Sequence, residues 1–264
     1  MGTYSSATRQ GAYEPFDLQV ARTQVDGHTP YFRFGWANSI GTTPQTITTC
    51  VTAGNTYPYL SAATTVKVSS SSANDTSAGT GVRTILLAGL DANYNAISET
   101  ITMNGQTAVT TTNSYLRISY TEILTVGSGG GVAGTIYVGT GTVTAGVPAV
   151  SLWQIEATYN NFSFAGYTVP AGYTAYVTSY TVTSQSTTAN INVTVGFIEH
   201  EYDTGIYEIQ STARLSSNGN FDRHFDFHYK VEEKNDMELR AWATTGAAVN
   251  VTGEIQFVLV KNPD

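Results

Sequence analysis

FDRHFDFHYK, residues Phe221 to Lys230, admits two readings, and the choice between them decides the fold. As a set of side chains it offers two aspartates and two histidines, Asp222, His224, Asp226 and His228, of the kind that grips a metal or runs a reaction. As a strand it divides by parity, because successive side chains point to opposite faces. Asp222, His224, Asp226 and His228 then share one face, while Arg223, Phe225, Phe227 and Tyr229 share the other. The ring-bearing face is the expected core face. Same-face neighbours on one strand usually supply only two ligands, and a closed metal site needs partners from elsewhere. The other histidines are His28 and His200, so the quartet reads as a solvated or subunit-facing surface, with no metal and no cofactor expected. His224 and His228 are candidate assembly contacts. Brought together across a homo-oligomer they would titrate near neutral pH and make assembly pH-sensitive.

The composition extends the strand reading to the whole chain. Of 264 residues only 12% are charged, against about a quarter in an ordinary globular domain. Thr, Ser, Gly and Tyr fill the gap, and β-branched and aromatic residues suit a pleated, half-buried surface better than a helix. The 41% hydrophobic content with so little charge is not a disordered composition. A net charge of -8 opposes nucleic acid as a partner, since duplex binding draws on Lys and Arg neutralising phosphates. No apolar run approaches the roughly 20 residues of a membrane-spanning helix, and MGTYSSATRQG lacks the basic start and apolar stretch of a signal peptide. The expectation is a protein made in a host cytosol, with no membrane partner. The single cysteine, Cys50, permits no internal disulfide and reads as a small buried filler.

Along the chain, residues 1–30 hold little alternation and read as an extended arm. Within it Phe16, Leu18 and Val20 fall at alternate positions, a spacing that predicts a strand able to add to a neighbour's open edge. Residues 31–148 contain short β-prone runs such as YFRFGW, RTILLAGL and SYLRISYTEILTV between Gly, Asn and Ser clusters, the pattern of a sandwich or meander. Asn104–Gly105 between alternating runs is a hairpin signal. Residues 149–264 give eight strand candidates, from SLWQIEAT to VNVTGEIQFVLVK, and predict an eight-stranded jelly-roll-like domain. The fold class is therefore all-β.

Catalytic signatures are missing. GGGVAG, Gly129 to Gly134, matches G-x-G-x-x-G by letter, but TIYVGTGTV follows it, and the dinucleotide fingerprint needs a helix N-terminus there. The sequence contains no P-loop, H-E-x-x-H, C-x-x-C or G-x-S-x-G pattern. No enzymatic activity and no catalytic residue is expected. Carboxylates such as Glu199, Glu201, Asp203 and Glu208 are surface acids on this reading, and Trp36, Trp153 and Trp242 are core rings rather than sugar platforms.

Four stretches carry a resemblance: PFDLQVARTQVDGHT from Pro15, the long segment from Lys67 to Ile118, GSGGGVAGTIYVGTGTV from Gly127, and TVPAGYTAYVTSYTVTS from Thr168. They resemble virion structural proteins of tailed bacteriophages, particularly those of aquatic hosts. The resemblance implies a β-rich front part, a jelly-roll-like rear part, a place in the virion and no catalytic residues. The expected function is a capsid decoration or cement protein, a homo-oligomer with a trimer favoured, stabilising the shell and partnered by the major capsid protein or other virion proteins. The alternative is a tail- or neck-associated module that recognises host glycan.

Overall fold

The computed structural model describes residues 14–52, 54–157, 159–186, 191–216, 218–245 and 249–263. In chain order these form one helix, α1 (Phe16–Ala21), and the strands β1 (His28–Ile40), β2 (Gln45–Thr46), β3 (Thr64–Ser70), β4 (Val82–Leu90), β5 (Ala96–Thr102), β6 (Val109–Tyr115), β7 (Arg117–Val126), β8 (Ile136–Thr144), β9 (Val147–Glu156), β10 (Asn161–Phe162), β11 (Gly166–Thr168), β12 (Tyr173–Gln185), β13 (Val193–His200), β14 (Tyr207–Leu215), β15 (Asn220–Val231), β16 (Asp236–Ala243) and β17 (Val249–Lys261). Every ladder between them is antiparallel. The all-β expectation holds.

The rear sandwich has two sheets, ordered β1-β17-β12-β15 and β11-β16-β13-β14, with β2 also paired to β16. Counted along the chain as one to eight, the eight four-in-a-row strands run 1-8-3-6 over 2-7-4-5, the order of a jelly roll. Parity builds its core: along β17, Val249, Val251, Ile255, Phe257 and Leu259 are buried while Asn250, Thr252 and Gln256 face out. Against them pack Val177, Tyr180, Val195, Phe197, Met237 and Leu239.

One of the eight strands differs from the sequence reading. SLWQIEAT is β9, and it belongs to the front sandwich, whose sheets run β10-β9-β8-β3-β6 and β5-β4-β7. Its place in the jelly roll is taken by β1, which pairs with β17 from His28 to Ile40. The front module, β3 to β10, is thus inserted between the first two jelly-roll strands, and the expected boundary at 148–149 falls inside β9. The outgoing and returning segments cross side by side over Gly35. The Ala165 amide donates to the Ile47 carbonyl at 3.0 Å and the Phe164 amide to Phe34 at 2.9 Å. A Cβ on Gly35 would stand 2.2 Å from that Ile47 oxygen, which is why the strand carries a glycine there.

The front core is built around Trp153, Tyr115, Ile85, Leu87 and Ile136. Its loops are organised by Asp75, which is wholly buried. The carboxylate accepts from the amides of Val82, Ala133 and Gly134 at 2.7, 2.9 and 3.0 Å and from the Ser70 hydroxyl at 2.6 Å. GGGVAG is therefore a wrap around an internal carboxylate, leading into β8. Asn104–Gly105 is not a hairpin: β5 pairs with β4 and β6 with β3. The turn carries the chain from one front sheet to the other. Gly105, at φ +61°, is held by loop 70–76, its amide donating to the Asp75 carbonyl at 2.7 Å. Cys50 is buried, and burial pushes its thiol up to about 12.

The extended arm is also corrected where it is described, from residue 14 onward. Phe16, Leu18 and Val20 lie on α1, not on a strand. The Leu18 and Gln19 amides donate to the Pro15 carbonyl, and Arg22 donates to Leu18, so this backbone presents no free ladder edge to a neighbour. Pro15 ahead of the first turn and Asp17 within it favour a helix start. Val20 is buried, whereas Phe16 and Leu18 remain exposed, with the Phe16 ring edge-on to His28 at 5.9 Å.

Candidate functional site

Two places concentrate side chains that a lone sandwich would not need: the junction between the modules and the free edge of the jelly roll. The junction begins with strand parity on β16. Met237, Leu239 and Ala241 enter the jelly-roll core, so Asp236, Glu238 and Arg240 point outward. Arg117 of the front module meets Asp236 on that outward face and Thr46 of β2 meets Glu238, and the two carboxylates are 2% and 1% exposed. Buried carboxylates must be paired or hydrogen-bonded, and these are. Arg117, the first residue of β7, donates from Nε and Nη2 to the two Asp236 oxygens at 2.8 and 2.9 Å. Thr168 donates to Oδ1 at 2.5 Å, and His200, opposite Asp236 in the ladder, lies with Nδ1 3.0 Å from Oδ2.

Burial works against the charge on Asp236, but the hydrogen bonds from His200 and Arg117, the Arg117 charge and the Thr168 hydroxyl outweigh it and hold the carboxyl below the usual carboxylate range. Arg117 spends its remaining Nη1 donors on the Leu60 and Leu116 carbonyls and stacks over the Tyr59 ring at 4.8 Å. Glu238 accepts from Thr46 at 2.7 Å and from Arg240 Nε at 2.8 Å; burial nevertheless pushes its carboxyl up. Glu199 accepts from the Tyr229 hydroxyl at 2.6 Å and from Asn235 at 2.8 Å. With both Asp236 oxygens committed to four donors, the cluster acts as a clamp between modules.

At the free edge, β14 ends one sheet and β15 the other. Both are irregular. Ile198 pairs with Ile209 and Phe197 with Ser211, leaving Gln210 as a bulge. On β15 the pairing jumps from Val177–Tyr229 to Ser179–His224, so that four residues, Phe225 to His228, oppose Thr178 alone. Bulges of this kind blunt an edge against open-ended pairing. They also undo the simple parity of the opening stretch. Phe225 and Tyr229 pack on the core as expected, but Phe227 is thrown out to 93% exposure and Arg223 is exposed with its guanidinium over the Phe225 ring.

The four polar residues do not gather. His224 Nε2 lies 3.0 Å from Asp222 Oδ2 on the surface, while Asp226 and His228 sit exposed in the bulge. Among the described residues no group of three His, Cys, Asp or Glu is placed to hold a metal. The apolar members of this edge are Phe227 with Ile206 at 53% and Ile209 at 56% exposure. Of the candidate assembly contacts, Phe16 and Leu18 are also exposed and Val20 is inside; α1 packs on β1, at the opposite end of the β1-β17-β12-β15 sheet from β15.

Sequence reasoning missed the clamp entirely. Its one signal was charge at alternate positions, Asp236, Glu238 and Arg240, inside an apolar run of a chain with only 12% charged residues.

No family model matches the chain, and no curated protein matches it. Among solved structures, it is similar to the structure of infectious bursal disease virus Gx strain at 11% identity, over 90% of this chain and 76% of that one, with a TM-score of 0.22. It is also similar to the infectious bursal disease virus VP2 subviral particle at 10% identity, over 90% and 82%, with a TM-score of 0.17. Likeness at this level carries no argument about fold or function.

Proposed function

We propose that the chain is a non-enzymatic structural protein of a bacteriophage particle, a decoration or cement protein that stabilises a capsid shell through oligomeric contacts. The observation that carries this reading is the free edge of the jelly roll, where Ile206, Ile209 and Phe227 stand in solvent at 53%, 56% and 93% exposure beside the unpaired ladder edges of β14 and β15. Large apolar side chains left exposed on or beside unpaired edge strands mark a surface that is covered in an assembly. The resemblance of the quoted stretches to virion structural proteins supports the particle as that assembly. The partners are further copies of this chain, as a closed trimer, and the major capsid protein beneath it. His224 and His228 lie on β15 with Phe227, exposed like it, and belong to the same proposed contact.

Light scattering on the purified chain, followed by mixing with shells that lack it and imaging by cryo-electron microscopy, tests the reading. A trimer seated at many equivalent shell positions is the expected result. A monomer that leaves shells bare would overturn it. The alternative, a tail- or neck-associated glycan-recognition module, is favoured by the aromatic-lined cleft between the two sandwiches. It predicts few copies, at the tail, in the same images.

A further inference from the structure

Between the sandwiches, beside β1, lies a cleft of about 830 Å³ walled by strands of both modules, within the ~300–1,000 Å³ range of small-molecule sites. Among the described residues that line it, Arg33 alone is charged. Arg33 is 5% exposed, and its Nε has no hydrogen-bond partner among the described residues. No described carboxylate forms an ion pair with it. The guanidinium rests instead on the rings of Tyr167, Tyr31 and Phe162, with its carbon 5.1, 5.5 and 5.5 Å from their centroids. Outside the described residues the sequence holds a single carboxylate side chain, Asp264. Lys261 already stands six ladder positions past Ile255, the partner of Arg33, or about 20 Å along the strand.

A buried cation without a counter-ion is costly, and ring faces offset only part of that cost. A cation of this kind facing an open, apolar cavity is set up to receive an anion from outside. The planar fork of a guanidinium matches a carboxylate with two parallel hydrogen bonds. One Arg, with no Lys and no helix N-terminus among the described lining residues, suits a single negative charge better than a phosphate dianion. The rest of the wall sets the body of the ligand: Tyr120, Phe162 and Tyr173 contribute aromatic side chains, and Asn95, Ser98 and Ser119 contribute polar groups.

We propose that this cleft is a binding site for a small organic carboxylate with a ring-shaped body, the carboxylate seated on Arg33 and the ring among the aromatic side chains. Two sources share that chemistry, a uronic acid residue of a glycan and a free aromatic acid. The inference does not rest on the capsid-decoration reading, and its glycan arm would favour the glycan-recognition alternative.

Isothermal titration of the full chain with glucuronate and with benzoate, against glucose and benzamide as uncharged counterparts, tests it. The expected result is saturable binding of one acid, at least tenfold tighter than its counterpart. Binding of glucuronate assigns the glycan source and binding of benzoate the free acid. Arg33→Met should fold, with a thermal midpoint no lower than that of the unaltered chain, and lose the binding. Arg33→Lys should retain the charge but bind at least tenfold more weakly, for want of the fork. No saturation by either acid at tens of millimolar, acid and counterpart binding alike, or undiminished binding by Arg33→Met would each overturn the proposal. A strongly lowered midpoint for Arg33→Met would do so too, by giving Arg33 a purely structural role.

Discussion

Arg117 and Arg33 stand on strands of different sandwiches, are buried to nearly the same degree at 6% and 5% exposure, and meet opposite surroundings. Arg117 has a carboxylate gripped at both oxygens, two carbonyls and a ring beneath it. Arg33 has three rings and an orphaned Nε. The first charge is neutralised inside the chain and ties the modules together; the second is left over. Burial alone therefore says little about what a charged side chain does, and the bonding inventory of its polar atoms says a great deal.

The comparison breaks most visibly at Asp236. Asp236→Ala removes the acceptor for Arg117, Thr168 and His200 together and leaves the Arg117 charge uncompensated. It should cost about 3–5 kcal/mol of unfolding free energy in urea titration. Replacing Arg117 and Asp236 together by apolar residues should cost far less, since most of the single-variant loss is the stranded charge. Equal losses would show that the pair holds the modules through its own attraction. The same carboxylate sets an acid limit. Its folded-state pKa lies below the ordinary value, so it contributes stability above the unfolded carboxylate range that is lost as pH falls through the folded value. Asp236→Asn should flatten that acid arm of the stability curve.

Smaller in effect is the crossing over Gly35, the place where the chain leaves and re-enters the jelly roll. Gly35→Ala puts a Cβ against backbone, 2.2 Å from the Ile47 oxygen and 2.6 Å from the Ala165 nitrogen, and backbone yields poorly. A loss of about 1–3 kcal/mol is expected, read by the same titration. Arg33→Met should lie close to zero or on the stabilising side, the reverse of any change at Arg117, because it removes a charge that no described carboxylate pairs.

These cases also mark what the sequence discloses. Alternation in YTAYVTSYTVTS and VNVTGEIQFVLVK reveals β12 and β17 because each residue's face is a local property. The β1–β17 ladder joins His28 to Val260, and no local pattern announces a partner that far along the chain. SLWQIEAT looks as much like a jelly-roll strand as β1 does, so alternation alone does not mark where the inserted module ends. Asn104–Gly105 discloses a turn but not its use, since the sheet on which the next strand lands is settled by Asp75 and loop 70–76. On α1, Phe16, Leu18 and Val20 satisfy alternation by letter, yet the flanking Pro15 and Asp17 tip so short a segment into a helical turn. Asp236 and Glu238 obey parity and point outward; they are met there by Arg117 of the front module and by Thr46 of β2, contacts from far along the chain and so a tertiary event.

Phe227 gives the smallest expected change in the folded chain and the sharpest reading of the surface. Its ring is 93% exposed in the β15 bulge, so Phe227→Ser removes almost no packing. It should shift unfolding free energy by no more than about 0.5 kcal/mol. If the edge is covered by sister chains, the same substitution exposes no new core but deletes an apolar anchor from the contact, and light scattering should show dissociation at concentrations where the unaltered chain is trimeric. Asp236→Ala gives the opposite pair of outcomes, a large loss of stability with the edge chemistry untouched. A Phe227→Ser chain that stays assembled, with stability unchanged, would remove the β14–β15 edge from the assembly and leave Phe16 and Leu18 on α1 as the remaining exposed apolar contacts among the candidates.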